Sequence, residues 1–260
     1  VATQARVRVS HGDSGLHLLR NGHTAPQTLA ALIAADPRAT VRQIGIVDAQ
    51  GNAAAHTGGN TIRYAGHQVG DGYSVQANMM ESEGVPLAMA TAFDATHGHL
   101  MLRILAALRA AQDAGGDFRG QQSAALKIVS GTLPTAAWDG VLYDVRVDDH
   151  ADPIGELTRI CHRHLAYDAA DEAVEMAAQG NLEGAMARYN EALALDAEDL
   201  QYRFWFALTL ADEHNALTTV EPIFREVFAL APMWKECLIR TAEAHPLNTP
   251  GMVEQILALG

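Results

Sequence analysis

The chain has 260 residues, 48% of them apolar and 19% charged, a globular balance that argues against disorder. Its formal net charge of −13 is unevenly placed: residues 1–150 carry 11 Lys and Arg against 13 Asp and Glu, a balance of −2, while residues 151–260 carry 7 against 18, a balance of −11. Such a field argues against nucleic acid and anionic membrane as partners, and the lack of a run of about 18 apolar residues or of a signal-peptide pattern in VATQARVRVS points to the cytoplasm.

The first helical stretch is expected over residues 15–35, with Leu16, Leu18 and Leu19 in a short segment and Ala25–Ala35 in a second, stopped by Asp36-Pro37. Pro26 suits a first helical turn. Ile44, Ile46 and Val47 read as a strand, Asp48–Gly51 as a turn and Asn52–His56 as the returning strand of a hairpin. Between Ile62 and Val75, short apolar pieces broken by Gly66, Gly70 and Gly72 read as a second strand pair or as one strand with an irregular loop. Two helices follow, at 85–95 and 98–113. SAALKIVS, apolar nearly throughout, reads as a central strand covered on both faces, and VLYDVRV as a strand with one wetter face. This order lacks the regular alternation of a doubly wound nucleotide-binding fold, so a layered domain of mostly antiparallel strands is expected.

From Asp152 the periodicity is helical, beginning with a connecting helix over 152–165 whose Pro153 stands at its start. Residues 179–199, QGNLEGAMARYNEALALDAED, resemble the tetratricopeptide repeat: Gly180 falls at the turn between paired helices, Ala185 and Ala192 at close-packing positions, and Tyr189 at the aromatic position. Small residues are needed where helix axes approach, and an aromatic ring fills the space beside them. A period near 34 recurs within the chain. Glu213-His214-Asn215 lies 34 residues after Gln179-Gly180-Asn181, Ala207 lies 34 after Ala173, and Phe224 lies 35 after Tyr189. A partial third unit covers Trp234–Ala244 and Met252–Leu259. Two to three repeats are near the lower bound for a stable stack, so they are expected to lean on the first domain or on another subunit, as in a homo-oligomer. Aromatic RFWF at 203–206 reads first as packing and second as part of a groove for a protein partner.

DAQGNAAAHTG at 48–58, GHQVGDGYSVQANMM at 66–80 and GGDFRGQQSAAL at 115–126, with VATQA and DVRVDDHADPIGEL at 144–157, resemble the bacterial domain-of-unknown-function family 1028. That family is grouped with N-terminal-nucleophile hydrolases. The resemblance therefore implies an α+β fold, a layered αββα domain over residues 1–160, followed by the all-α tetratricopeptide-like domain over 161–260. Members of the family carry their first strands and candidate terminal nucleophile ahead of VATQA; here those residues are expected to lie in a preceding segment, with a separate chain or a protein lacking the catalytic terminus as the alternatives. Such a nucleophile needs a Thr, Ser or Cys side chain beside a free amine, and Val1 has none.

The family-like motifs set polar groups at strand ends and in glycine-rich loops, where a rigid scaffold commonly carries its chemistry. The catalytic candidates are Thr3, His56, Asn78 and Ser123, and the ligand-binding candidates are Gln4, Thr57, Asn78, Asp117, Arg119 and Gln122. Thr3 is a hydroxyl nucleophile or a structural strand residue. His56 and Ser123 suggest a base and nucleophile, with the acid member unassigned. Asn78 either stabilises an oxyanion or caps the turn at Met79 and Met80. Arg119 either clamps a substrate carboxylate or ties its own loop to Asp117. No cofactor is expected, because GGDFRG lacks the Lys-Ser/Thr of a phosphate loop and GNAAAHTGG lacks a dinucleotide fingerprint. No metal is expected either: Asp148, Asp149, His150 and Asp152 match no standard loop, and Cys161 with His164 is an incomplete ligand set. The two cysteines, Cys161 and Cys237, have no CxxC spacing and are expected as buried thiols. The activity implied is hydrolysis of a small amide or peptide; the alternative is a noncatalytic ligand-binding or assembly protein.

Overall fold

A computed structural model describes residues 1–136 and 138–260. It opens with strand β1 (Ala2–Ala5), helix α1 (Ser10–Arg20) and helix α2 (Ala25–Ala34). Helix α1 begins five residues earlier than the leucine pattern indicated, because its first turn is polar. Helix α2 starts where its sequence provides for the unpaired N–H groups of a first turn. Thr24 and Gln27 form a reciprocal capping box, Pro26 lies in the first turn, and the Asp48 carboxylate accepts the N–H of Ala25 at 2.9 Å.

Strands β2 (Arg42–Val47) and β3 (Ala53–Thr57) form the expected hairpin, and β1 joins the other side of β2, giving a three-stranded antiparallel sheet in the order β1-β2-β3. Asp48 organises the turn by accepting the backbone N–H groups of Gln50 and Asn52. Alternation along β2 divides its side chains between two covered faces. Ile44 and Ile46 pack with Ala25, Leu29 and Leu32 of α2, each large aliphatic side chain contributing about 1.5–3 kcal/mol by leaving water. Gln43 and Gly45 face a second hairpin, β4 (Gly66–Gly70) with β5 (Tyr73–Ala77). A Cβ on Gly45 would lie 2.5 Å from the Gln76 amide, so glycine here lets the two sheets approach. Helix α3 (Val85–Ala95) packs on β4 and β5, and α4 (Leu100–Asp113) packs on α3.

Strand β6 (Ala124–Val129) pairs with β7 (Val141–Val147) in a separate two-stranded sheet. The expectation of a central strand covered on both faces is corrected here. Leu126 and Ile128 are buried while Lys127 and Val129 are exposed, and Lys127 pairs with Asp144 at 2.7 Å. Alanines at both sequence positions 124 and 125 made a strand of ordinary alternation resemble a continuous apolar run. Strand β7 shows the wetter face expected of it.

The chain divides into two units, Val1–Thr158 and Arg159–Gly260, the division falling inside α5 (Pro153–Ala178). That helix continues well beyond the connecting segment read from the sequence. The second unit is all-helical, with α6 (Leu182–Leu195), α7 (Leu200–Glu213), α8 (Leu217–Leu230), α9 (Met233–Ala244) and α10 (Met252–Leu257). Its core joins small and aromatic residues: Ala173, Ala185 and Ala192 are fully buried, and the Tyr189 and Phe206 rings stack at 4.4 Å. Gly180 ends α5 in the left-handed conformation, φ +80°, and the Asn181 side chain caps α6. Between α7 and α8 the left-handed residue is Asn215, φ +52°, rather than His214. The one-residue insertion moves the turn to a residue type that tolerates this conformation. Both cysteines are free thiols, and burial pushes Cys161 up to about 11. Among the described residues no helix is long and apolar enough to cross a membrane.

Candidate functional site

The first unit buries amides and a hydroxyl between its two facing sheets. Gln43, wholly buried on β2, directs Nε2 to the Gly66 carbonyl at 2.9 Å, the Ala77 carbonyl at 2.9 Å and the Thr57 hydroxyl at 3.0 Å. Two of these partners are backbone carbonyls, which only accept, so the orientation of the Gln43 amide is determined. Its Oε1 must then face a donor. That donor is Asn78 Nδ2 at 3.2 Å, which also donates to Gln4 Oε1 at 3.1 Å. On the other side, Thr57 Oγ1 and His67 Nδ1 lie 2.8 Å apart. Burial, followed by the nearby His56, lowers the pKa of His67, favouring a neutral ring that accepts the Thr57 proton.

Asn78 is where this network meets a cavity of about 500 Å³ at the ends of β1 and β5. Two non-glycine residues with left-handed backbones line it, Ala5 (φ +61°) and Met79 (φ +58°). Each conformation costs about 1–2 kcal/mol, and such strain gathers at functional sites. Arg6 and Arg38 also line the cavity, and neither guanidinium has a protein partner among the described residues. Their backbones are held by one buried ion pair. Asp36, 2% exposed at its side chain, accepts from Arg42 Nε at 2.8 Å and from the Arg38 backbone N–H at 2.9 Å, while Arg42 donates to the Arg6 carbonyl. The Arg42 hydrogen bond, opposed by burial, holds the Asp36 carboxyl down to about 2.

The sequence-derived candidates separate on this geometry. Gln4, Thr57 and Asn78 share the network. Asn78 commits both side-chain N–H bonds to Gln4 and Gln43, leaving Oδ1, an acceptor, as the side-chain atom open to a ligand. Asp117 and Arg119 lie beside it in the chain's fold: the Phe118 N–H donates to the Met79 carbonyl at 3.1 Å, and Met80 bridges Asp117. Arg119 is exposed and spends its guanidinium on Asp117, with Nε at 2.9 Å. Thr3 is paired with Ile44, on the opposite face from Gln4, and its buried hydroxyl has no partner among the described residues. His56 Nε2 lies 3.0 Å from the Ala39 carbonyl. Ser123 and Gln122 are exposed ahead of β6, and no interaction joins Ser123 to His56 among the described residues. Gln43, His67, Arg6 and Arg38 were not anticipated. Gln43 carried a signal, a neutral polar residue next to the apolar core of a strand. Among the described residues, no group of three or more His, Cys, Asp or Glu side chains is gathered to hold a metal ion.

Residues 1–157 match the model of a family of unknown function, DUF1028. The chain is also similar to the crystal structure of protein SPO2555 from Silicibacter pomeroyi, assigned there to the same family model, at 28% identity and a TM-score of 0.52, over 62% of this chain and 69% of that one. No curated protein matches. Matched over more than half of its length, this chain belongs to the DUF1028 family of unknown function.

Proposed function

We propose that the first unit is an N-terminal-nucleophile-hydrolase-like domain whose cavity receives a small amide or peptide carrying a carboxylate. The observation that carries this reading is the position of Asn78, joined to a buried amide network on one side and lining the Arg6–Arg38 cavity on the other. The succession of α2, sheet β1-β2-β3, hairpin β4-β5 and α3 supports an αββα layering. Arg6 and Arg38 receive the carboxylate, and Asn78 Oδ1 accepts the amide N–H of the ligand. Acyl transfer requires a nucleophile as well, and the lining residues are assigned binding alone.

The test is calorimetric titration of the full chain with N-acetyl amino acids and dipeptides, with product analysis for amide cleavage. Saturable binding weakened about tenfold or more by Arg6→Ala with Arg38→Ala supports the reading. Absence of binding across such a panel, or binding indifferent to the double substitution, overturns it. Cleavage distinguishes a hydrolase from a ligand-binding module.

A second reading concerns the helical unit and rests on Trp205. This residue is 39% exposed in an otherwise buried RFWF segment and lines two neighbouring grooves, one with Tyr167 and Tyr202, the other with Met233 and Cys237. With the 34-residue spacing, this supports a tetratricopeptide-like module that docks a protein segment. Trp205→Ala in the full chain should release a partner retained by the unsubstituted protein while leaving helicity unchanged; equal retention counts against docking there.

A further inference from the structure

In the helical unit, α5 and α7 enclose a groove of about 330 Å³. Helix α5 supplies Tyr167, Asp171 and Val174, spaced i, i+4 and i+7 on one face, and α7 supplies Tyr202, Trp205 and Phe206. Tyr202 and Phe206 are buried and form the floor, so the walls open to a ligand are Tyr167 and Asp171 on one side and Trp205 on the other. The tyrosine hydroxyls are engaged at the α6–α7 connection. That of Tyr167 donates to the Asp199 carboxylate at 3.4 Å, and that of Tyr202 to the Asp196 carbonyl. What these residues bring to the groove is ring carbon.

Asp171 is exposed and has no ion-pair or hydrogen-bond partner among the described residues. No Lys, Arg or His among the described residues lines the groove. The unit has little positive charge left to neutralise it. Residues 159–260 carry 7 Lys and Arg against 16 Asp and Glu, a balance of −9, and Arg163, Arg188, Arg203, Arg225 and Arg240 each pair with another carboxylate. Aromatic rings attract a cation through their quadrupole and a carboxylate attracts it through its charge, whereas an anion is favoured by neither. Trp205 also lines the neighbouring groove against α9, where Met233 is 71% exposed beside Cys237 and the Arg240–Glu236 pair closes on itself at 2.7 Å. That second groove offers an apolar shelf.

We infer that the helical unit docks a basic segment, with a lysine or arginine side chain in the α5–α7 groove and an adjoining apolar side chain on the Met233 shelf. The methylene stem of the basic residue runs along Trp205 and Val174 while its cationic head reaches Asp171. This rests on the reading of the unit as a docking module and adds the chemistry of what is docked.

The test follows the Trp205 indole N–H resonance of the full chain by NMR, assigned with Trp205→Phe, during titration with capped pentapeptides of leucine and glycine whose central residue is lysine, norleucine or glutamate. Norleucine keeps most of the lysine stem and lacks the charge. The lysine peptide should bind about fivefold or more tightly than the norleucine peptide, and the glutamate peptide most weakly. Asp171→Asn alters an exposed, unpaired position and should remove most of the lysine preference while leaving norleucine binding where it was, a change in selectivity that a damaged fold would not produce. Equal binding of the lysine and norleucine peptides, or a lysine preference unchanged by Asp171→Asn, overturns the inference and leaves docking by apolar contact standing. No saturable shift with any of the peptides overturns both. A full chain that dimerises in sedimentation and becomes monomeric on Trp205→Ala covers this surface with a second copy, which also overturns the inference.

Discussion

The deepest positions of the first unit include the polar Gln43, Thr28, Asp36, His11 and Arg42, whereas those of the second are alanines, aromatic rings and aliphatic side chains such as Leu210, Val220 and Val227, with Arg203 as the charged exception. An interior of small and aromatic residues is maintained by volume, and the loss of any ring is felt through the cavity it leaves. An interior of amides and ions is maintained by the completeness of its pairings, so an isosteric change can be as damaging as a truncation. The difference is in what each interior would lose on substitution: volume in the second unit, pairing in the first.

The largest expected effect tests the volume rule. Phe224→Ala removes a fully buried ring that meets Phe204 edge-on and should cost about 3–5 kcal/mol in denaturant unfolding of the helical unit. A cost below about 1 kcal/mol would show that this core is loosely packed. Gln43→Leu tests the pairing rule with little change in volume. It strands the Gly66 and Ala77 carbonyls and one N–H of Asn78, and should cost about 2–3 kcal/mol in the first unit while weakening ligand binding at the Asn78 cavity. A neutral result would mean that water replaces the amide.

A smaller, pH-dependent effect comes from Asp36. Its folded carboxyl lies below its ordinary value, at about 2, so its contribution is complete above about pH 4 and is lost as pH falls from about 4 towards 2. Acid titration of Asp36→Asn beside the unsubstituted chain should show a shallower loss of stability in that window; identical profiles would remove Asp36 from the explanation. The smallest effect is at the surface. Arg119→Ala breaks an exposed pair within a loop and should change stability by less than about 0.5 kcal/mol, with calorimetric binding to the Asn78 cavity unchanged.

The elements were legible where periodicity and punctuation agreed. Asp48–Gly51 marked the β2–β3 turn, Pro26 and Asp36-Pro37 bracketed α2, and the helical period after Asp152 anticipated an all-helical second unit. Legibility failed where a residue's partner is distant in the chain. Gln4, Thr57 and Asn78 were named from their motifs, but Gln43, which joins Thr57 to Asn78, is an ordinary polar residue until the two sheets stack, and Arg6 and Arg38 converge only because Asp36 and Arg42 hold both backbones. His56 and Asn78 stood out as isolated residues, but the direction of each side chain depends on strand register, which pairs His56 with Ile44. Similarly, His214 occupied the expected turn position while the left-handed conformation passed to Asn215.

The close approach of Gly45 to Gln76 makes sequence change at one position depend on the other. A homologue that gains a side chain at 45 must turn the residue 76 side chain aside or shorten it, since the space now taken by the glutamine amide is the space a Cβ would enter. The dependence runs one way: across the family, side chains at 45 should accompany short or displaced residues at 76, while glycine at 45 leaves residue 76 free to vary.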